Sequence, residues 1–304
     1  MPPRNGRPIG EKTWIKRRLD LPVISKLFAR ALGLIKSTHP IPSFAVTTFT
    51  VLLAIGYGMA LEKLSLVALG ILFQQFSVGL SNDWLDYERD KIVGRDDKPT
   101  VRLEVSASLV RNASLVSAII ALVVATSLGW EILLTMVAML LVGWSYNLGL
   151  KSNALSALPY AVGFGIVPVF VTLSLSTPQL PMWWVMLAAG LLGVAAHFAN
   201  ALPDLIDDRE TGVRALPHIL GQRISALAIS SAAALASLLV VTQSTSLNLV
   251  VAWVGFGLTV SLVIAASVLA LRPKPPRVIF HLLIAASFVN VALLVLGQSN
   301  TLSN

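Results

Sequence analysis

Long apolar runs separated by short polar turns dominate the chain. Judged against the roughly 20 residues that cross a bilayer as helix, nine runs qualify: residues 41–60, 64–81, 106–128, 132–148, 155–175, 183–202, 224–241, 249–271 and 278–296. Some are short by strict count, but the second and sixth continue as helix into polar, acidic ends. The pattern predicts an all-α fold of nine transmembrane helices around a central cavity open to the cytoplasmic side. Residues 1–36 read differently. They carry nine Lys and Arg and no apolar core ahead of a small-residue cleavage site. This predicts a retained basic cytoplasmic tail and not a signal peptide, with a short amphipathic helix around residues 14–31 lying on anionic headgroups. Residues 37–304 then form the membrane domain.

Composition agrees with a lipid environment: 55% of residues are hydrophobic, 12% are charged and the mean hydropathy is +0.77, as expected of a membrane protein. Cysteine is absent, which excludes disulfides, thiolate metal sites and iron–sulfur clusters. The net charge of +8 points to topology and not to nucleic acid. With nine spans, 22 of the 23 Lys and Arg fall on one side and only Lys63 on the other. By the positive-inside rule the tail and the loops after the second and sixth spans are cytoplasmic, and the uncharged residues 297–304 lie opposite.

Acidic residues are as unevenly spread. Of 15 Asp and Glu, seven lie between Asp83 and Glu104 and four between Asp204 and Glu210. In Asn82-Asp83-Trp84-Leu85-Asp86-Tyr87-Glu88-Arg89-Asp90, Asp83, Asp86 and Asp90 stand at i, i+3 and i+7, on one side of a helix, and Asn82 joins them four residues before Asp86. Asn200, Asp204 and Asp208 repeat the N-x3-D-x3-D frame, with Asp207 as a further carboxylate. The shared frame, four spans apart, suggests an internal repeat. Carboxylates beside a bilayer must be paired, hydrated or bound to a cation, and the first motif lies toward a helix C-terminus, where the macrodipole disfavours anions. Magnesium resolves both conflicts, since it takes one or two carboxylates together with phosphate oxygens and water. Lys91, Arg95, Lys98 and Arg102 after the first motif, with Arg209 and Arg214 by the second, would offset a departing diphosphate. These features suit heterolysis of an allylic diphosphate in a cavity that excludes water.

The residues resemble the UbiA family of intramembrane prenyltransferases. Asn82 to Asp90 is similar to the family's NDxxDxxxD motif at every fixed position. Asn200-Ala-Leu-Pro-Asp204-Leu-Ile-Asp207-Asp208-Arg209-Glu-Thr-Gly212, continuing to Leu220-Gly221, resembles the second motif, and Tyr146 and Lys151 resemble a tyrosine and lysine after the fourth helix. Ala201, Ala215 and Lys98-Pro99 depart from common family residues and leave the carboxylate frame intact. The resemblance implies Mg2+ bound by Asp83, Asp86 and Asp90 with Asn82, and a second Mg2+ by Asp204 and Asp208. It further implies diphosphate contacts from Lys91, Arg95, Arg102, Tyr146, Lys151, Asn200 and Arg209, a polyprenyl diphosphate donor, and a hydrophobic or aromatic acceptor such as a hydroxybenzoate or naphthoate precursor of a quinone. Asp207 and His197 are candidates for contact with the acceptor or its ring proton.

Other readings stand beside this one. A polyprenyl-phosphate phosphoribosyltransferase would use the same fold and metals, and a cation-coupled transporter would also place carboxylates in a membrane. Topology alone would put Lys and Arg in these loops, Tyr146 would serve in an interfacial belt, and His197 as a satisfied core histidine. His39, His218 and His281 show no partner pattern. Gly79, Gly163 and Gly165 are expected to permit close helix packing, and Trp183 and Trp184 to anchor the outer interface.

Overall fold

A computed structural model describes residues 23–205, 213–244 and 246–297. Among them every regular element is helical. α1 (Val23–Ser37) precedes α2 (Pro40–Gly56), α3 (Leu61–Leu85), the short α4 (Tyr87–Val93), α5 (Ala107–Leu128) and α6 (Trp130–Leu148). A 3-10 turn (Leu150–Ser152) leads to α7 (Leu158–Leu173) and α8 (Trp183–Ala201), which ends in a second 3-10 turn (Leu202–Asp204). α9 (Leu216–Gln243), α10 (Leu249–Ala270) and α11 (Val278–Leu296) complete the described elements.

Each of the nine apolar runs therefore meets a helix. Seven of these helices are long and apolar enough to cross a membrane, and α2 with residues 27–37 before it forms a further pair bent by 55°. α7, with 16 residues, is a shorter apolar helix. The protein is thus an integral, multi-pass membrane protein. The described helix near the N-terminus, Val23–Ser37, overlaps the second half of the expected 14–31 segment, whose residues 14–22 lie outside the described residues. Leu27, Phe28, Leu32 and Ile35 are exposed along one side of it.

Neighbours in sequence pack as neighbours in space: α2 on α3, α3 on α5, α5 on α6, α6 on α7, α7 on α8, α8 on α9, α9 on α10 and α10 on α11. α11 returns to α2, which closes the bundle. In lipid, burying apolar surface between helices gains little, so association depends on close approach and on hydrogen bonds. Small residues provide the approach. A Cβ at Gly190 would lie 2.9 Å from the Ala161 carbonyl oxygen, and one at Gly193 would collide with the Tyr160 carbonyl oxygen, so α7 and α8 meet backbone to backbone. Gly79 fits the expectation of close packing: a Cβ there would stand 2.6 Å from the Thr38 carbonyl oxygen.

The tryptophan pair behaves differently from expectation. Trp183 is exposed, but Trp184 is 2% exposed and among the largest fully buried side chains, beside Phe170 and Met136. Successive helical residues point about 100° apart, and here that step carries the second ring from the exposed side into the core. Trp184 is a core residue and not an interfacial anchor.

Candidate diphosphate and metal site

The first motif lies across the junction of α3 and α4, and helical hydrogen bonding carries through it almost without interruption. α3 ends at Leu85 and α4 begins at Tyr87, yet the Asp86 N–H donates to the Asn82 carbonyl at 3.0 Å and the Asp90 N–H to the Asp86 carbonyl at 2.8 Å. The helical phase is kept, and Asp83, Asp86 and Asp90 all fall on the buried side while Glu88 is exposed. Gly94, with φ of 71°, then stops the helix. Its N–H bonds the Lys91 carbonyl and the Arg95 N–H bonds the Asp90 carbonyl at 3.0 Å, the paired closure of a Schellman turn.

Each aspartate of the first motif meets cations. Lys98 Nζ donates to Asp83 Oδ1 at 2.6 Å, and Lys151 Nζ to Asp86 Oδ1 at 2.6 Å. Arg89 reaches Asp86 Oδ2 at 3.2 Å and Asp90 Oδ1 at 3.7 Å. Lys98 and Lys151 are themselves largely buried. Burial pulls the Lys151 ammonium below the usual lysine range, against the attraction of Asp86. Burial likewise pushes the Asp90 carboxyl above its ordinary value, against Lys98 and reinforced by Asp86; its Oδ2 has no hydrogen-bond partner among the described residues.

The two motifs face the same end of the bundle. Arg95 forks onto Asp97 through two bonds of 2.9 and 3.1 Å, and its Nη1 lies 3.6 Å from Asp204 Oδ2. Arg277, from the turn before α11, reaches Asp97 at 3.3 Å and Asp204 at 3.9 Å. The fork holds the Asp97 carboxyl far below the usual range and raises the Arg95 guanidinium above its own. The chain after the second motif docks on the α6–α7 connection: the Arg214 N–H donates to the Ser152 carbonyl and the Leu216 N–H to Ser156 Oγ at 2.9 Å.

The remaining expected residues divide between the site and the surface. Asn82 donates to Asn147 Oδ1 at 3.1 Å, and buried Asn147 donates to the Val78 carbonyl and to Ser81 Oγ, both at 2.8 Å, so the end of α6 is tied to the motif. Tyr146 lies ring to ring with Tyr160 at 5.2 Å and with His197 at 5.9 Å. His197 is buried and its Nε2 is 3.0 Å from Ser156 Oγ. The same oxygen accepts the Leu216 N–H, and His197 Nδ1 has no hydrogen-bond partner among the described residues. Lys91 is exposed with Nζ 6.0 Å from the Tyr87 ring centroid, Arg102 is exposed and pairs with Glu104 at 3.3 Å, and Asn200 is exposed. Among the described residues, none of these three makes an ion pair or hydrogen bond with Asp83, Asp86, Asp90 or Asp204. Asp207, Asp208 and Arg209 lie outside the described residues.

The sequence offered no partner for His39, and the structure gives it one: Nε2 is 2.8 Å from Asp83 Oδ1. Nothing local signals this contact across 44 residues. Among the described residues no group of three or more His, Cys, Asp or Glu side chains is gathered tightly enough to hold a metal ion unaided.

Residues 37–297 match the profile of the UbiA prenyltransferase family. Solved structures share the fold. One is the apo structure of a UbiA homolog from Aeropyrum pernix K1, with TM-score 0.70 and 19% identity over 84% of this chain and 98% of that one. Another is described as a digeranylgeranylglyceryl phosphate synthase in membranes, with TM-score 0.63 and 18% identity over 91% of this chain and 99% of that one. A third is a UbiA homolog from Archaeoglobus fulgidus bound to GPP and Mg2+, with TM-score 0.63 and 16% identity over 86% and 99%. No curated protein sequence matches the chain.

Proposed function

The chain belongs to the UbiA prenyltransferase family and is a membrane-embedded prenyltransferase; from that premise we propose that it moves a polyprenyl group from its diphosphate to an aromatic acceptor, with Mg2+ as cofactor. Family membership sets aside the transporter reading. The observation that carries the site is Arg95, which follows the first motif: its guanidinium forks onto Asp97, lies 3.6 Å from Asp204 of the second motif and feels the charge of Asp90 of the first.

The donor set suits magnesium. Its side chains are oxygen donors, one buried carboxylate oxygen of Asp90 is unpartnered among the described residues, and the lack of a tight three-ligand cluster among them matches an ion that completes its shell with water and diphosphate. Asp83, Asp86 and Asp90 with Asn82 would hold one ion; Asp204 and Asp208 would hold the other. When bound, Mg2+ offsets negative charge on the departing diphosphate. Lys98, Lys151, Arg89, Arg95 and Arg277 are cations within 4 Å of motif carboxylates and would contact diphosphate oxygens, as would Tyr146; Lys91, Arg102, Asn200 and Arg209 rank below these. The reaction breaks the donor's C1–O bond and forms a bond from C1 to an acceptor ring carbon. The ring proton and diphosphate leave.

The rings of Tyr146, Tyr160 and His197 favour an aromatic acceptor, since stacked and edge-on rings add attraction beyond area alone. His197, with Nε2 held by Ser156, would present Nδ1 to the acceptor. The charge distribution supports nine spans, with a cavity opening to the cytoplasm, residues 1–36 as a cytoplasmic tail, residues 37–304 as the catalytic domain and the C-terminus opposite.

The test uses the full chain in nanodiscs with Mg2+ and labelled geranylgeranyl diphosphate against hydroxybenzoate and naphthoate acceptors. A parallel arm supplies labelled phosphoribosyl diphosphate and a polyprenyl phosphate. Prenyl transfer that is abolished by EDTA, Asp83→Ala, Asp86→Ala or Asp204→Ala, in variants that stay folded, supports the reading. Transfer that survives these changes, or label incorporated only in the parallel arm, overturns it.

A further inference from the structure

His39 stands at the bend between α1 and α2, and several features of that bend are built. Its backbone is left-handed, with φ of 50° and ψ of 65°, a conformation uncommon outside glycine in which histidine is one of the enriched exceptions. Pro40 fixes the start of α2 behind it. Thr38 and Ser43 brace the turn: Thr38 Oγ1 donates to the Ile35 carbonyl at 2.7 Å, and Ser43 Oγ to the Thr38 carbonyl at 2.8 Å. The same Thr38 carbonyl oxygen sits where a Cβ on Gly79 would be, 2.6 Å away, so the bend rests directly on α3 one turn before Asp83.

The outcome is one contact. His39 Nε2 lies 2.8 Å from Asp83 Oδ1, the oxygen that also accepts from Lys98 Nζ at 2.6 Å. Asp83 is 1% exposed, so its carboxylate is fixed from two sides at one oxygen, which leaves the other to a cation. A left-handed backbone is costly for a non-glycine residue, and a histidine held there with its ring on a buried carboxylate has a use for that strain.

We propose that His39 is a positioning residue for the metal site: it orients Asp83 through Oδ1, and it couples α1, with its exposed Leu27, Phe28, Leu32 and Ile35, to the carboxylate that faces the substrate. This inference rests on the reading of Asp83 as a metal ligand. Partners that orient a metal's carboxylate ligands commonly change metal affinity or activity by about 10- to 100-fold when removed.

The test measures Mn2+ binding by electron paramagnetic resonance to metal-stripped full chain in nanodiscs, with inorganic pyrophosphate present. His39→Phe keeps a ring and loses the donor; it should weaken Mn2+ about 10-fold or more, with thermal stability near that of the parent. His39→Gln carries an N–H at similar reach and should recover most of the affinity. Gly79→Ala leaves His39 in place but displaces the Thr38 carbonyl, and should weaken Mn2+ in the same direction. Asp83→Ala is the control. If it leaves Mn2+ binding intact, the site reading itself fails. If it removes binding while His39→Phe and Gly79→Ala bind as the parent does, the positioning role alone is overturned.

Discussion

Removal of the Lys151 ammonium tests how strongly the charge balance of the first motif holds the fold. Lys151 Nζ and Asp86 Oδ1 are 2.6 Å apart, with side chains 11% and 9% exposed. At that distance and an effective dielectric near 20, the attraction alone is about 6 kcal/mol, and the cost of taking both charges out of water cancels much of it. Lys151→Met leaves Asp86 buried with Arg89 at 3.2 Å as its remaining counter-ion. The loss should therefore sit at the lower end of the range for breaking a buried pair, about 3 kcal/mol. At about 2 °C per kcal/mol for a chain of this size, the thermal midpoint falls by about 6 °C. The assay is thermal unfolding of detergent-purified protein at neutral pH, compared across Lys151→Met, Asp86→Asn and the double variant. Because the double variant buries no unmatched charge, it should recover most of the loss while remaining inactive in transfer. A Lys151→Met midpoint within about 1 °C of the parent, or a double variant less stable than the single, would refute the reasoning.

Asp90 gives a prediction with a pH signature. Burial raises its carboxyl above the ordinary value, so the folded protein keeps a proton that the unfolded chain has released. The stability from that proton is complete below the unfolded value, about pH 4, and is lost as pH rises through the folded one. Asp90→Asn should unfold at an equal or higher temperature than the parent at pH 7 and show a flatter profile in thermal scans from pH 4 to 7; lower stability at pH 7 would contradict this. Gly193→Ala should cost about 1–3 kcal/mol in the same scans, because its Cβ meets the Tyr160 carbonyl oxygen and, at 2.9 Å, the Phe164 Cβ, while Gly257→Ala, with nothing within 4 Å, should be neutral or better.

What the sequence made legible follows from how far each signal reaches. All nine apolar runs meet helices, since apolar length is a local property. Boundaries were poorer: α9 begins at Leu216 and not at 224, because Gly221, with φ of 77° inside that element, reads as the tail of a loop motif. Within the first motif the buried face of Asp83, Asp86 and Asp90 was readable, as helical phase sets it. The partners were not. Asn147 for Asn82 and Lys151 for Asp86 are each 65 residues away, and His39 for Asp83 depends on a bend fixed by Gly79. Loop cations were the hardest to rank. Lys98 and Lys91 look alike in sequence, yet the turn at Gly94 brings the first onto Asp83 and leaves the second at the surface.

The outer face of α10 shows where this molecule is free to change over evolutionary time. Leu249, Val250, Trp253, Val254, Leu258, Ile264 and Val268 are all exposed on a helix that is apolar around its whole circumference. Exchange of one for another hardly alters contact with hydrocarbon tails, so such positions can drift almost without selection. Descendants of a common ancestor can then lose nearly all recognisable likeness over most of their length and still share inward-facing glycines and a few charged side chains at one rim.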